Sequence, residues 1–200
     1  YSKKAIKYSG VAFVIGYLFT YLPISIIQHL PFKAYQVGRF LSFHNPWDDT
    51  SGVGYQSIQG FLALARGGLT GTGLSSSIQK TGFLPEAHTD FILAIIAEEL
   101  GLVGVLFVVT LLLIIIGKVI FSGTKSRNTF SAMYSLGFAS LLVVQGVVNI
   151  GGVTASIPMT GVPLPFISNG GSSILILSVG LGIATNILSH VKYLRSNSKK

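Results

Sequence analysis

The chain has 200 residues, half of them hydrophobic and only 10% charged, with a net charge of +8 and a mean hydropathy of +0.66. These values place it among membrane proteins, and they exclude a nucleic-acid partner, because the basic residues lie in short tracts beside apolar runs, where they orient membrane spans. The sequence contains no cysteine, which excludes disulfides and thiolate metal sites.

In chain order, Lys3, Lys4 and Lys7 precede an apolar run over about 10–27, the first expected span. The chain begins with Tyr1, and no small-residue cleavage site follows the run at Leu30-Pro31. The reading is therefore a portion of a longer protein with spans upstream, not a signal peptide. Residues 28–90 are polar and glycine-rich but hold Phe32, Tyr35, Phe40, Phe43, Trp47, Tyr55 and Phe61, enough apolar material to pack or to lie on a bilayer interface. A second span is expected over 91–117. Its uncharged part, 100–117, reaches roughly 27 Å at about 1.5 Å per residue, close to the thickness of the hydrocarbon layer. Lys118, Lys125 and Arg127 then bracket a short loop. A third span over 130–148 follows, then a charge-free glycine- and proline-rich loop over 149–171. A fourth span over 172–188 leads into a basic tail.

Alternating the spans collects the basic tracts on one side of the membrane and every carboxylate on the other. The positive-inside rule makes the first side the cytoplasm. The expected architecture is an all-α polytopic transmembrane bundle, a single membrane domain over 1–200 with about four spans, outer loops at 28–90 and 149–171, and the first loop long and extracellular.

Four of the six acidic residues, Glu86, Asp90, Glu98 and Glu99, fall within 83–104, at the mouth of the second span. Acid beside a membrane is costly, about 2.5–3.5 kcal/mol for a bare charge at the midplane, so Glu98 and Glu99 are expected near the outer boundary or in a wet cavity. Pro85 and Glu86 suit a first helical turn, which predicts one helix from about Pro85 into the membrane. On that helix Asp90, Ala94, Ala97, Gly101 and Gly104 form one stripe of mostly small residues for close packing. Asp90 reads either as a charged packing end or as a reactive carboxylate on a rigid helix.

The run Leu84-Pro85-Glu86-Ala87-His88-Thr89-Asp90-Phe91 with Glu98-Glu99-Leu100-Gly101 resembles the signature of the SEDS family of shape, elongation, division and sporulation proteins (FtsW, RodA, SpoVE). Gly54-Tyr55-Gln56, Gly67-Gly68-Leu69 and Ser77-Ile78-Gln79-Lys80 are most similar to the division-type FtsW branch. Asn149-Ile150-Gly151-Gly152 and Gly161-Val162-Pro163-Leu164-Pro165-Phe166-Ile167-Ser168 continue the match in order. The family has about ten spans, so the resemblance covers its C-terminal part. It implies a peptidoglycan glycosyltransferase that polymerises lipid II into glycan strands during cell division. It further implies a multi-pass protein of the bacterial plasma membrane at the septum, and as partners a class B penicillin-binding transpeptidase and other division proteins. Alternatives are a lipid II flippase, or a non-catalytic division scaffold or inactive fragment. Transporters place charge in broken helices at mid-membrane, whereas these carboxylates are expected outside, which favours surface chemistry.

Within that resemblance Asp90 occupies the catalytic position, where a carboxylate with a raised pKa would take the proton from an attacking hydroxyl. Glu86, one turn earlier, would share the site or serve the helix dipole. His88 with Asp90 or Glu86 is an oxygen-plus-imidazole set of the kind that holds a divalent cation, the one cofactor left open; a hydrogen-bonded surface histidine is the better reading. Pyrophosphate as leaving group calls for cations or oriented amides. Arg39 and Lys80 match recurring family positions, while Arg66 replaces a small residue common there. Ser168, Gly170, Gly171 and Ser172 open the last span as a candidate anion site. Gln145 and Asn149 share a face of the third span, and their expected partners are Glu98 or Glu99.

Overall fold

A computed structural model describes residues 34–197. The span expected over 10–27, Lys33 and the final lysines lie outside the described residues. Among the described residues the regular structure is helical: α1 Ala34–His44, α2 Val53–Gly67, α3 Ile92–Lys125, α4 Thr129–Val153 and α5 Gly171–Asn197, with 3-10 turns at Pro46–Asp49 and Gln79–Thr81.

Three helices are long and apolar enough to cross a membrane, at Ile92–Lys125, Thr129–Val153 and Gly171–Tyr193. α3 packs on α4, α2 and α5, and α1 packs on α2. Where α4 meets α5, Gly180 leaves room for the Phe138 ring, and the Tyr134 hydroxyl donates to the Gly180 carbonyl at 3.1 Å. Asn128 caps α4 by accepting from the Phe130 amide at 2.9 Å. Leucine, valine and phenylalanine side chains on the outer faces of α3 to α5 stay exposed, as in a bundle whose solvent is lipid.

Residues 28–90 were expected as a connection. Their described part instead forms α1, α2 and two 3-10 turns, and α2 lies against the first turns of α3. A β-carbon on Gly67 would collide with the Ala97 carbonyl, and one on Gly60 would meet the Phe91 ring at 2.6 Å. The small residue Ala97 therefore has a close neighbour in α2, at Gly67.

Two expectations about the acidic stretch are corrected. Residues 83–91 form turns, and α3 begins at Ile92 after Phe91. Glu86 has a positive φ of 54°, which a helix cannot contain, and its carbonyl accepts from Thr89 N at 3.1 Å and Phe91 N at 3.3 Å. Nor is the stripe continuous. α3 breaks at Gly101, where φ is 68° and ψ is −167°. Helical periodicity counted from Asp90 fails at both places, because neither is helical.

The break is closed by the chain after α2. Leu102 and Val103 amides donate to the Gly68 and Leu69 carbonyls at 3.0 and 3.3 Å, and the Glu98 and Glu99 carbonyls accept from Thr72 N and Gly73 N at 2.9 and 3.0 Å. Four backbone groups at the break thus have partners in that segment, as an apolar setting requires. A β-carbon on Gly101 would overlap the Gly71 amide and the Leu69 carbonyl, so glycine is demanded here twice, by conformation and by space.

Candidate functional site

Two acidic centres emerge. The first surrounds Asp90, in the turn before α3. Its backbone carbonyl accepts from Asn149 Nδ2 at 2.9 Å, and the same nitrogen donates to the Val162 carbonyl at 2.8 Å. One side chain near the end of α4 thereby fixes the Asp90 turn and the 161–163 loop together. Gln145, a turn earlier, donates to the Pro163 carbonyl at 2.9 Å and contacts Ser173 Oγ at 3.4 Å. Gln145 and Asn149 therefore bond the outer loop, the Asp90 backbone and the start of α5, and not Glu98 or Glu99 as expected.

Gly161, with φ of 75°, faces the functional groups directly. A β-carbon there would lie 3.2 Å from Asp90 Oδ2 and 3.5 and 3.6 Å from Arg39 Nη2 and Nη1. Carboxylate and guanidinium thus meet at the same glycine. Arg39, on α1, donates to the Met159 carbonyl at 3.2 Å. It does not close on Asp90: among the described residues the ion pairs are Arg66–Glu98 and Lys80–Glu99. Burial, then the neighbouring Glu86 charge, raise the Asp90 pKa above the usual aspartate range, and Arg39 opposes them. Asp90 is half-buried, and among the described residues its carboxylate has neither an ion pair nor a capping duty.

Other sequence candidates take different places. Glu86 is exposed and accepts from Thr89 Oγ1 at 2.6 Å. His88 is exposed, and its carbonyl accepts from Asn169 N at 2.9 Å, which seats the entry to α5 against the Asp90 turn. Gly171 and Ser172 are exposed at that entry, and Gly170 lies against Pro163. Ser168 is buried, and its hydroxyl accepts from Leu164 N at 2.7 Å, holding the proline-rich turn. Among the described residues no group of three or more His, Asp or Glu is placed to hold a metal ion. Sequence reasoning assigned no role to Gly161; the available signal was its position in an uncharged loop on the same side as Asp90.

The second centre surrounds Glu98, expected near the outer boundary or in a wet cavity, whose side chain is fully buried in protein at 0% exposure. Ser77 Oγ donates to its Oε2, Ile78 N donates to Oε1 at 3.2 Å, and Arg66 Nη1 lies 3.8 Å from Oε1. Lys80 Nζ lies 3.6 Å from Glu99 Oε1. The structure thus assigns Lys80 and Arg66 to carboxylates about two turns into α3, and Arg39 alone of the candidate cations to Asp90. Charge-assisted bonds to Glu98 and the backbone pairs at Gly101 fasten the same segment, 66–81, onto the helix.

Long apolar helices with a polar corner at one end of the bundle define a polytopic membrane protein. The chain belongs to the FtsW/RodA/SpoVE family of cell cycle proteins, whose model matches residues 5–193, and it is a multi-pass cell membrane protein. It is 45% identical over 165 residues to a protein of Bacillus subtilis (strain 168) named "Probable peptidoglycan glycosyltransferase FtsW", covering 82% of this chain and 41% of the relative. A protein of the same name from Lactococcus lactis subsp. lactis (strain IL1403) is 42% identical over 192 residues, covering 92% of this chain and 44% of the relative. The chain thus spans less than half the length of these curated relatives. A solved chain described under "Structural coordination of polymerization and crosslinking by a peptidoglycan synthase complex" superposes with a TM-score of 0.63 at 24% identity, over 96% of this chain and 50% of that one, and shows the same fold.

Proposed function

We propose that this chain supplies the catalytic corner of a peptidoglycan glycosyltransferase that polymerises lipid II during cell division. Asp90 is the general base. It takes the proton of the acceptor sugar hydroxyl as that oxygen bonds to the anomeric carbon of the donor, while the bond from that carbon to the pyrophosphate oxygen breaks. The lipid pyrophosphate leaves, and Arg39, facing the same glycine, offsets its developing charge. The exposed Gly171 and Ser172 at the start of α5 lie on the same corner for the donor phosphates. The observation that carries the reading is the half-buried, unpaired Asp90 carboxylate with its raised pKa and with Arg39 across Gly161. Supporting it, relatives that share most of this chain are named as probable peptidoglycan glycosyltransferases. The corner faces outward, and a class B penicillin-binding transpeptidase at the septum is the partner in the cell.

A second reading, lipid II translocation, draws on one observation: α3 is broken at Gly101 beside the buried Glu98, so charge placement does not separate transport from surface chemistry in this fold. Glu98, however, is held by Ser77, Ile78 and Arg66, which suits an anchor better than a carrier. The test uses the full-length protein in detergent, where translocation is irrelevant, with labelled lipid II and glycan strands resolved by gel. The parent is expected to polymerise, and Asp90→Asn to fall by about 10²–10⁴-fold. Polymerisation at the parental rate by Asp90→Asn would refute the base. Strand formation by neither protein, with lipid II movement across vesicles by both, would favour translocation.

A further inference from the structure

The segment after α2 is not absorbed by the proposed chemistry, yet it carries apolar side chains in full view. Leu69 is 70% and Leu74 is 74% exposed. Both are held beside α3 at a known level by backbone bonds, Leu69 through its carbonyl to Val103 N and the chain before Leu74 through Gly73 N to the Glu99 carbonyl.

That level can be placed against a bilayer. Lys118 is the first charged residue after Glu99 along α3. A hydrocarbon layer of about 30 Å measured from Lys118 takes about 20 residues of helix at about 1.5 Å each, which reaches Glu98. The opposite membrane boundary therefore falls where Thr72 and Gly73 bond the Glu98 and Glu99 carbonyls. Val103, five residues deeper, lies about 7 Å inside, and Leu69 is tied to it. That depth is comparable to the about 5–10 Å by which amphipathic helices lying in the interface bury their apolar face. Charge agrees with this level: Arg66 and Lys80 flank the segment and pair with Glu98 and Glu99. The two leucines are exposed beside a stretch of α3 that itself exposes Leu102, Val103 and Leu106.

We propose that residues 68–78 are a membrane-interface element, with Leu69 and Leu74 inserted among lipid acyl chains at the end of the bundle where α3 begins. The occupant of this surface is the bilayer itself, because the two exposed leucines are tied to α3 at the level where the hydrocarbon layer measured from Lys118 ends. The element clamps the break in α3 from the lipid side and sets the depth at which the Asp90 corner rides above the membrane. This holds whether or not Asp90 is a base.

The test places a nitroxide label at Leu69→Cys, Leu74→Cys, Val103→Cys and Ser51→Cys in a cysteine-free full-length protein, in vesicles of phosphatidylcholine and phosphatidylglycerol. Collision with dissolved oxygen is compared with collision with a water-soluble nickel chelate. Labels at 69 and 74 should resemble that at 103, favouring oxygen, while the label at the exposed Ser51 should favour the chelate. Chelate-favoured collision at 69 and 74, as at 51, would overturn the proposal by showing a segment in water. Exclusion of both reagents there would overturn it equally, by showing protein packed over the patch.

Discussion

Asp90 and Glu98 lie eight residues apart in sequence, and the chain uses their carboxylates in opposite ways. Asp90 is anchored through its backbone, by Asn149, and its carboxylate is left half-exposed with a raised pKa and no ion pair. Glu98 is anchored through its carboxylate, by Ser77, Ile78 and Arg66, and has no solvent contact. Held by its main chain, an acid leaves its side chain available. Held by its side chain, it becomes part of the framework, and at a membrane mouth both kinds look alike in sequence.

Changes near Glu98 should therefore register as stability and changes near Asp90 as rate or pH dependence. The largest effect is expected at Gly101→Ala. The positive φ costs about 1–3 kcal/mol and the overlap with backbone at Leu69 and Gly71 about as much again, so thermal unfolding of the full-length protein in detergent should show a loss of about 4 kcal/mol. Glu98→Gln keeps the shape but removes the charge from bonds to Ser77 and Arg66. A loss of about 2 kcal/mol is expected by the same measurement, and an unchanged unfolding curve would show that Glu98 holds nothing. Asn149→Ala removes two bonds to carbonyls of separate segments. It should cost about 1–2 kcal/mol and loosen the Asp90 turn, seen as faster amide exchange at 88–91 than at 98–103.

The smallest effect is in pH. A base whose pKa is raised loses activity as pH falls through that raised value. Glu86→Gln removes a charge that raises it, so the acidic limb of the rate profile should move to lower pH. Arg39→Gln removes the opposing charge and should move the limb to higher pH. Both limbs moving in one direction would contradict the arrangement around Asp90. Stability follows the same linkage. Above the ordinary aspartate range the charged Asp90 is disfavoured in the folded state, so Asp90→Asn should be slightly more stable than the parent at neutral pH. The gain should fade as pH falls through the raised pKa towards the ordinary range.

Hydropathy and charge made the membrane class and helical architecture legible, because apolar runs and basic tracts carry that information locally. Asp90 was legible as a candidate from its place among rare acids and from the resemblance of the surrounding run to a family signature. The break at Gly101 was not, since a glycine in an apolar run reads as a tolerated helix residue; what demands its conformation is backbone about 30 residues away at Gly68 to Gly71. The burial of Glu98 was hidden for the same reason, its partners Ser77 and Ile78 lying in a segment that read as loop. Pro85 and Glu86 mimicked a helix start, but the positive φ of Glu86 and the turn closed on its carbonyl defer the true start to Ile92. Lys80 looked free to meet pyrophosphate because nothing local revealed Glu99 beside it.

The most direct measurement sets the two acids against each other in the full-length protein, with Asp90→Asn and Glu98→Gln prepared in parallel and each assayed for lipid II polymerisation and for thermal unfolding in the same detergent. Asp90→Asn should unfold at or above the parental temperature while polymerising about 10²–10⁴-fold more slowly, and Glu98→Gln should unfold earlier yet, at a temperature where it is folded, retain most of its rate. An unstable Asp90→Asn, or a stable Glu98→Gln without activity, would contradict this division by exchanging the roles of base and anchor.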